Sequence, residues 1–255
     1  MGPGNRLLGM KHIALITGAS RGLGSAIALE LAASGLSVAI NYRSSHDLAE
    51  RLCSRIREMG GEAAPFEADV RDEAQVSELV NQVTGQLGPI DTLVVNATGP
   101  QPFLAIEEQT WESYLDQLEF FVKSPLLLLK AILPNMKKNR YGRVVQIGSE
   151  VFELGNPRFA NYVAAKGAQL GLTRSWSREL APHGITVNLV APGWIPTERH
   201  ADATAAELEE YRLSVPAKRM GQAIDVAKAV AFLAGESAGF ITGTDIVIDG
   251  GWTAQ

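Results

Sequence analysis

This 255-residue chain has little of three features that mark particular classes of protein. It has one cysteine, Cys53, so no disulfide framework is possible, and a reducing, cytoplasmic compartment is expected. Its 23 Lys and Arg against 28 Asp and Glu leave a net charge of −5, which argues against a nucleic-acid partner. No apolar run approaches the roughly 20 residues of a membrane span, so no membrane contact is expected.

Residues that bind metal ions are also scarce. The four histidines are scattered, and none stands at ligand spacing from the cysteine or a carboxylate, so no metal site is predicted. Residues 1–10 lack the charged and then apolar pattern of a signal peptide, and we interpret them as a flexible tail. Residues 11–255 show no linker and no internal repeat, and we predict that they form one domain.

What the chain does contain is a regular alternation of short apolar runs and helical segments. The runs begin near Ile13, Ser37, Ala63, Thr92, Arg143, Thr186 and Asp245. This alternation predicts an α/β fold in which helices cover both faces of a parallel sheet. The longest helical region is predicted over residues 107–138, with a bend at Pro125 because proline lacks the backbone donor.

A glycine-rich turn follows the first apolar run and precedes an alanine- and leucine-rich helical segment. Its sequence is Thr17-Gly18-Ala19-Ser20-Arg21-Gly22-Leu23-Gly24. Glycines at this spacing let the backbone turn sharply and approach a pyrophosphate, whose charge then meets the helix N-terminus. Glycines also end elements for purely structural reasons, but the flanking strand and helix favour a dinucleotide site.

The end of the second apolar run indicates which dinucleotide binds. A free ribose 2′-hydroxyl is usually held by an Asp or Glu near this point, whereas a 2′-phosphate requires an Arg. The chain reads Asn41-Tyr42-Arg43-Ser44 there, without a carboxylate, and Arg21 in the glycine-rich turn adds a second cation. This pattern predicts NADP(H). The alternative is that Arg43 is only a solvated turn residue.

A Tyr-x-x-x-Lys motif lies in the helical segment predicted over residues 157–181. Tyr162 and Lys166 stand four residues apart, so a helix places them one turn apart on one face. A free tyrosine titrates near pH ~10, and a fixed lysine cation lowers that pKa because it favours the phenolate. Ser149 follows a buried run, and its hydroxyl is placed to hold a carbonyl oxygen at the sheet edge. Taken alone, the Tyr and Lys motif is better explained as an exposed helical pair.

Together these motifs resemble the short-chain dehydrogenase/reductase family over residues 11–252, and most closely its 3-oxoacyl-acyl-carrier-protein reductase branch. The resemblance is carried by the glycine-rich turn, Ser149, Tyr162, Lys166 and the segments 190–193, 241–243 and 249–251. It implies a single-domain Rossmann fold with a doubly wound parallel sheet of about seven strands. It also implies a homotetramer built on paired long helices and the C-terminal strand.

The resemblance implies a role for the residues of these motifs. Tyr162 would be the general acid in reduction, Lys166 would lower its pKa and hold the nicotinamide ribose, and Ser149 would orient the carbonyl. The cofactor would contact Gly18, Ser20, Arg21, Gly22, Leu23, Gly24, Asn41, Tyr42, Arg43, Ser44, Asp69, Val70, Asn96, Ala97, Thr98, Tyr162, Lys166, Pro192, Gly193, Ile195 and Thr197.

Two features depart from the family pattern. Thr98 follows Asn96 and Ala97, so Gly99 comes one place later than the family's glycine. The helical Asn of the family aligns with Phe121, and no Asn lies between residues 115 and 134. A phenyl ring can neither donate nor accept the hydrogen bond that would hold a water for proton resupply. We therefore expect slower proton resupply, unless Phe121 is a core residue that faces the sheet.

The leading hypothesis is an NADPH-dependent carbonyl reductase, with 3-oxoacyl thioesters of acyl carrier protein or CoA as candidate substrates. One alternative is an NAD(P)-dependent dehydrogenase of secondary alcohols or sugars. Another is a dinucleotide-binding sensor or scaffold with impaired turnover, which Phe121 would favour. The natural substrate is not predicted, because its contacts fall in loops and in a polar segment near residues 194–216 that we interpret as a lid.

Overall fold

The computed structural model describes residues 11–254, and one seven-stranded parallel sheet lies at its centre. The strands lie side by side in the order β3-β2-β1-β4-β5-β6-β7, which confirms the predicted single-domain, doubly wound fold. The predicted tail, residues 1–10, lies outside the described residues. The strands are β1 (Ile13–Ile16), β2 (Ser37–Tyr42), β3 (Ala63–Glu67), β4 (Thr92–Val95), β5 (Gly142–Ile147), β6 (Ile185–Pro192) and β7 (Asp245–Ile248).

Helices pack on both faces of the sheet. One face carries α1 (Gly22–Ala33), α2 (His46–Glu58) and α9 (Ala223–Ala234). The opposite face carries α3 (Glu73–Gln86), α5 (Ser124–Asn139) and α7 (Ala160–Leu180). Shorter helices are α4 (Trp111–Leu118), α6 (Val151–Leu154) and α8 (Ala205–Ser214), and 3₁₀ turns occur at Ile106–Glu108, Ala181–His183, Glu198–His200 and Glu236–Ala238.

The central strands are apolar along their length because helices cover both of their faces. Every residue of β1 and β4 is buried. Leu15 of β1 lies in one core cluster with Leu79 and Leu128, whereas the next residue, Ile16, lies in the other cluster with Ile27. Successive side chains of a strand point to opposite faces, so each strand contributes to both halves of the core.

The long helical region predicted over residues 107–138 is confirmed from residue 111 onward, where helical backbone continues without interruption to residue 139, but it is not α-helical throughout. α4 is followed by a π-helical turn, Glu119–Lys123, and only then by α5. Pro125 lies directly after the π-helical turn, in the first turn of α5, and the predicted bend at this residue stays a prediction. The π-helical turn carries Phe121, and such turns often occur at functional sites.

The sheet order places the carboxyl ends of β1 and β4 next to each other. After β1 the chain builds β2 and β3 on one side and then crosses to β4 on the other side of β1. Such a reversal opens a crevice at the ends of the two strands, where open α/β sheets bind their ligands. The glycine-rich turn follows β1, and residues 96–99 follow β4, so both lie at this crevice.

Three expectations drawn from scarce residues concern membranes, metals and the single cysteine. No helix within residues 11–254 combines the length and apolarity needed to cross a membrane. The same residues contain no group of three or more His, Cys, Asp or Glu side chains placed to hold a metal ion. Cys53 is buried in α2, and burial raises the pKa of its thiol to about 12.

We predict that Leu93→Ala strongly destabilises the fold. Leu93 is fully buried in β4, between β1 and β5, and truncating such a leucine typically costs about 2–5 kcal/mol of unfolding free energy. Leu48→Ala, at a partly exposed position of α2, is the matched control and should cost less than about 1 kcal/mol. Urea unfolding curves measure both values, and equal losses would contradict the packing described here.

Candidate active site

The glycine-rich turn after β1 has a backbone that other residues rarely adopt. Gly18 and Gly22 have φ values of +60° and +58°, in the left-handed region that favours glycine. Space is limiting as well, since a Cβ atom on Gly18 would lie 2.9 Å from the Cα atom of Ala97. A Cβ atom on Gly24 would lie 2.6 Å from the amide nitrogen of Asn96. The glycines therefore allow the turn to lie directly against the loop after β4.

Polar groups hold this turn in place. Thr17 Oγ1 accepts hydrogen bonds from the backbone N–H groups of Asn96 and Ala97, at 2.9 and 3.0 Å. Asn96 Nδ2 donates to the carbonyl oxygens of Thr17 and Gly18, at 2.9 and 3.1 Å. Asn41 Oδ1 accepts from the N–H of Gly18 at 3.2 Å. Asn41 and Asn96, both predicted to contact the cofactor, thus use their side-chain amides to shape the turn itself.

The N-terminus of α1 fits an anionic group. Arg21 precedes the helix, no side chain caps it, and its first turn contains no carboxylate. The first N–H groups of a helix have no intrahelical partners, and the helix dipole adds positive charge there. The pyrophosphate of a dinucleotide fits this position, with half-buried Ser20 and Leu23 and exposed Arg21 in the turn beside it.

The ends of β2 and β3 place charged groups beside the glycine-rich turn. Arg43 and Ser44 are exposed, and the Arg43 side chain is 62% accessible to solvent. Asp69 forms an ion pair with Arg71 at 2.6 Å, and hydrogen bonding by Arg71 lowers the pKa of Asp69 below its usual value. Arg43 lies 4.0 Å from the same carboxylate and remains accessible to a phosphate. Two further residues predicted to contact the cofactor here, Tyr42 and Val70, are buried.

Ser149, Tyr162 and Lys166 meet at the same edge of the sheet. Ser149 follows β5 and lies beside the Tyr162 hydroxyl, and Tyr162 and Lys166 are one turn apart in α7. Lys166 Nζ lies 5.5 Å from the centroid of the Tyr162 ring. Tyr162 is 7% exposed and Lys166 is 4% exposed, which excludes an exposed helical pair.

The predicted lowering of the Tyr162 pKa is wrong for the protein without its cofactor. Burial raises this pKa to about 12, although hydrogen bonding with Ser149 and the charge of Arg199 act in the opposite direction. The sequence assigns the lowering effect to Lys166. However, burial and the nearby Arg199 cation lower the pKa of Lys166 itself well below its usual value. For both side chains, the effect of burial on the pKa is therefore larger than the effect of the neighbouring Tyr162 or Lys166.

Lys166 is held by groups that its motif does not reveal. Its Nζ atom donates to the carbonyl oxygen of Ile147 at 2.7 Å and to Gln169 Oε1 at 3.1 Å. It also lies 3.7 Å from the centroid of the Phe121 ring. That ring packs edge-on against Tyr162, with the centroids 5.4 Å apart. Phe121 is therefore in contact with the candidate catalytic residues and is not simply a core residue that faces the sheet.

The segment after β6 contacts the glycine-rich turn across the crevice. Pro192 ends β6, Ile195 is buried, and Thr197 is half-buried. The Cβ atom of Thr197 lies 3.6 Å from the position that a Cβ atom on Gly22 would occupy. Gly193 is in close contact with the same segment, because a Cβ atom there would lie 2.7 Å from the hydroxyl of Tyr211 in α8.

Arg199 joins this segment to the loop after β4. Its guanidinium donates to the carbonyl oxygen of Gly99 at 2.6 Å and to Thr98 Oγ1 at 3.4 Å. Gln101 Nε2 donates to the same Thr98 hydroxyl at 3.0 Å. Residues 194–216 thus lie against the crevice, where the sequence predicts a lid, and their movement stays a prediction.

A family profile described as Enoyl-(Acyl carrier protein) reductase matches residues 18–253. This chain belongs to the short-chain dehydrogenase/reductase family. The 3-oxoacyl-[acyl-carrier-protein] reductase FabG of Staphylococcus aureus is 41% identical over 245 residues, covering 95% of this chain and 98% of that protein. FabG of Haemophilus influenzae is 39% identical, covering 94% of this chain and 97% of that protein.

Solved structures of the short-chain dehydrogenase/reductase family share the fold. A mutant family member from Serratia marcescens matches with a TM-score of 0.88 at 34% identity, covering 95% of this chain and 98% of that chain. A gluconate 5-dehydrogenase from Burkholderia cenocepacia, in complex with NADP and tartrate, matches with a TM-score of 0.89 at 31% identity, covering 96% and 97%. These relatives are reductases and dehydrogenases, so the predictions of the family and of an oxidoreductase acting on carbonyl or hydroxyl groups are confirmed.

Three polar residues of this short-chain dehydrogenase/reductase site were missed by sequence reasoning. Gln169 follows Lys166 by three residues, so a helical projection of α7 would have placed both side chains on one face. Glu150 directly follows Ser149 and is 6% exposed, which the sequence signals only by its position. Arg199 carries no local signal, because its place depends on how residues 194–216 fold back over the crevice.

Glu150 is a buried carboxyl group that joins the end of β5 to α8. The Tyr211 hydroxyl donates to the Glu150 carboxylate, with both oxygens 3.1 Å away, and accepts from the Trp194 N–H at 2.9 Å. Burial raises the pKa of Glu150 to about 7, the hydrogen bond from Tyr211 lowers it, and the charge of Asp249 raises it further. The contact between the candidate lid and the sheet therefore includes a group that titrates near neutrality.

We predict that Glu150→Gln stabilises the protein at alkaline pH. The pKa of Glu150 is 4.5 in the unfolded chain and about 7 in the folded protein. As the pH rises through this range the buried carboxyl must ionise, so the folded protein loses stability. The loss is on the order of 3 kcal/mol above that range, and Gln avoids it while keeping an acceptor for Tyr211.

Thermal and urea denaturation near pH ~5 and pH ~8.5 test this prediction, with the variant gaining stability mainly at the higher pH. Glu210→Gln, at an exposed position of α8, is the matched control and should show no such difference. Equal behaviour of the two variants would contradict a buried charge at Glu150.

Proposed function

We propose that this protein is an NADPH-dependent carbonyl reductase that reduces 3-oxoacyl thioesters. The observation that carries the reaction type is the convergence of Ser149, Tyr162 and Lys166 beside the glycine-rich turn. The FabG relatives at 41% and 39% identity support the substrate class. The thioester would be carried by acyl carrier protein or by CoA.

The residues at the crevice divide the reaction between them. When bound, the cofactor would supply a hydride to the carbonyl carbon. The electron pair of the opening C=O bond would move to the oxygen, which Ser149 orients through a hydrogen bond. Tyr162 would then transfer its phenolic proton to that oxygen, which yields a secondary alcohol and leaves a phenolate. The ammonium group of Lys166 would stabilise the phenolate, and a proton from solvent would then restore the Tyr162 hydroxyl.

The raised pKa of Tyr162 is compatible with the direction of reduction. A phenol with a pKa of about 12 stays protonated at neutral pH, as a proton donor must. The oxygen that receives the proton carries the electron pair of an alkoxide, which is a stronger base than a phenolate. Proton transfer from Tyr162 would therefore be favourable once the hydride has reached the carbonyl carbon.

Two exposed cations support the preference for NADPH. Arg43 follows β2 and Arg21 lies in the glycine-rich turn, and both side chains face solvent. The carboxylate near Arg43 is Asp69, which already pairs with Arg71. A 2′-phosphate beside Arg43 and Arg21 would gain charge-assisted hydrogen bonds, whereas no carboxylate follows β2 to accept from a 2′-hydroxyl.

A dehydrogenase of secondary alcohols or sugars is the second candidate. The gluconate 5-dehydrogenase relative is 31% identical, and the Arg199 cation acts on Tyr162 from a position where it could meet an acidic substrate. The sensor or scaffold hypothesis has no comparable support. The named relatives are enzymes, and this chain keeps Ser149, Tyr162 and Lys166 together.

The assembly and the location of the protein stay predictions. Trp111 and Leu115 of α4 are 64% and 42% exposed, and Leu126 of α5 is 43% exposed. Partner subunits that pack on these helices would cover this apolar surface, which supports the proposed homotetramer. A cytoplasmic location is proposed by analogy with the FabG relatives.

We expect the protein to oxidise NADPH when a 3-oxoacyl thioester is added, measured as a loss of absorbance near ~340 nm. Tyr162→Phe should lower kcat by about 100-fold or more while NADPH binding and folding persist, because one hydroxyl is lost and the ring remains. Tyr114→Phe, whose hydroxyl donates to Gln109, is the matched control and should keep its activity. Oxidation of a sugar acid without thioester reduction would instead favour the second candidate.

We expect Arg43→Asp to reduce the preference for NADPH over NADH, expressed as the ratio of the two kcat/KM values. Each charge-assisted contact to the 2′-phosphate contributes on the order of 1.5–3 kcal/mol, so the ratio should fall at least tenfold. Arg51→Asp makes the same change of charge at an exposed position of α2 and should leave the ratio nearly unchanged. A wild-type preference for NADH would refute the assignment.

A further inference from the structure

The side chain of Lys166 lies in a closed pocket between α7, the end of β5 and the π-helical turn. It is 4% exposed, and no carboxylate of residues 11–254 forms an ion pair with it. The ionisable groups that face it are Tyr162 on its own helix and Arg199 from the candidate lid. Burial without a counter-ion favours the neutral amine, and the Arg199 cation acts in the same direction. The groups that could stabilise the charged form of Lys166 are therefore all neutral.

Two carbonyl oxygens accept hydrogen bonds from this ammonium. One belongs to the backbone of Ile147, at 2.7 Å, and the other is Gln169 Oε1, at 3.1 Å. Gln169 is fully buried, and its amide must present oxygen to Lys166 because the flipped amide would oppose donors to donors. An ammonium has three N–H donors, so these two acceptors leave one donor for another partner.

The ring of Phe121 forms another wall of the pocket. Its centroid lies 3.7 Å from Lys166 Nζ, at a distance where an aromatic face attracts a cation. Phe121 is 2% exposed and also contacts Tyr162. The ring supplies no hydrogen bond, so the only side-chain acceptor for Lys166 among residues 11–254 is Gln169.

We propose that Gln169 is a positioning residue that keeps Lys166 as an ammonium ion and directs its remaining N–H donor toward the crevice beside Tyr162. The proposal rests on the proposed function, in which the charge of Lys166 stabilises the phenolate. A hydrogen bond accepted from a charged donor favours the charged form and so offsets the burial. A carboxylate at this position would also hold the lysine, but its negative charge would cancel the attraction between Lys166 and the phenolate.

Gln146 provides a matched control for this residue. Like Gln169, it is a fully buried glutamine at the contact between β5 and α7. Its Nε2 donates to Thr173 Oγ1 at 2.8 Å, and Thr173 donates in turn to the backbone carbonyl of Gln169 at 3.0 Å. Gln146 makes no hydrogen bond to Lys166. Gln146→Leu therefore removes a comparable buried amide without changing the partners of the ammonium.

The first test compares the pH dependence of kcat/KM for carbonyl reduction in the wild type, Gln169→Leu, Gln169→Glu and Gln146→Leu. At high pH Lys166 loses its proton, so kcat/KM for reduction should fall there and form an alkaline limb of the pH profile. Gln169→Leu removes the acceptor, so this limb should move to lower pH by on the order of one pH unit. Gln169→Glu should move the limb to higher pH and lower the maximal rate. Gln146→Leu should leave the limb in place, whatever its effect on the melting temperature.

The second test measures the lysine directly, without cofactor or substrate. Carbon-13 NMR of protein labelled at lysine Cε gives the pKa of Lys166, whose signal is identified by its absence in Lys166→Met. The pKa should fall in Gln169→Leu and rise in Gln169→Glu. If Gln169→Leu does not fold, Gln169→Met replaces it, because Met also removes the carbonyl acceptor and nearly matches the length of glutamine.

An unchanged lysine pKa in Gln169→Leu would overturn the proposal whatever the Glu variant shows, because a carboxylate raises the pKa of a neighbouring lysine by its charge alone. A shift in the same direction in both Gln169 variants and in Gln146→Leu would also overturn it, because that result reports a general loss of packing. If the pKa moves as expected but even the wild type reduces no carbonyl, Gln169 holds the ammonium and only the proposed function fails.

Discussion

The parallel pairing of β1 with β4 is the constraint on which the rest of this site depends. Ile16 pairs with Val94, and the residues that follow the two strands are then close enough for Asn96 to donate two hydrogen bonds to Thr17. These bonds fix the glycine-rich turn, where a Cβ atom on Gly18 would meet the backbone of the loop after β4. A slip of one residue in this pairing would turn the buried side chains to the wrong face and separate the two loops.

The same sheet edge also holds ionisable groups at a cost in free energy. Lys166 and Glu150 are both removed from water, and each is contacted by a neutral hydrogen-bond partner, Gln169 and Tyr211 respectively. Burial shifts both pKa values toward the neutral form of the side chain. Groups with perturbed pKa values cluster at functional sites, and here Glu150 directly follows Ser149 while Lys166 lies one helical turn from Tyr162. A role in catalysis explains these buried ionisable groups better than a contribution to folding stability does.

Family membership and substrate choice rest on different parts of the molecule. The sheet, the glycine-rich turn and the Tyr162 and Lys166 pair are what this chain shares with relatives named as reductases and as dehydrogenases. We expect substrate contacts on the loop after β4 and on residues 194–216, which Arg199 links by hydrogen bonds. Loops of this kind vary among proteins with one fold, so the fold by itself does not decide the substrate.

The sequence by itself determined the features that depend on local pattern: the seven apolar strands, the conformation required of Gly18 and Gly22, and the i,i+4 spacing of Tyr162 and Lys166. These features follow from periodicity and backbone sterics, which depend only on residues close to one another in the sequence. Only the tertiary structure decided the π-helical turn between α4 and α5, the pKa of Tyr162 and the contacts of Lys166 with Gln169 and Phe121. Those depend on burial and on packing between distant segments, because desolvation acts on a group only once the fold has removed its water.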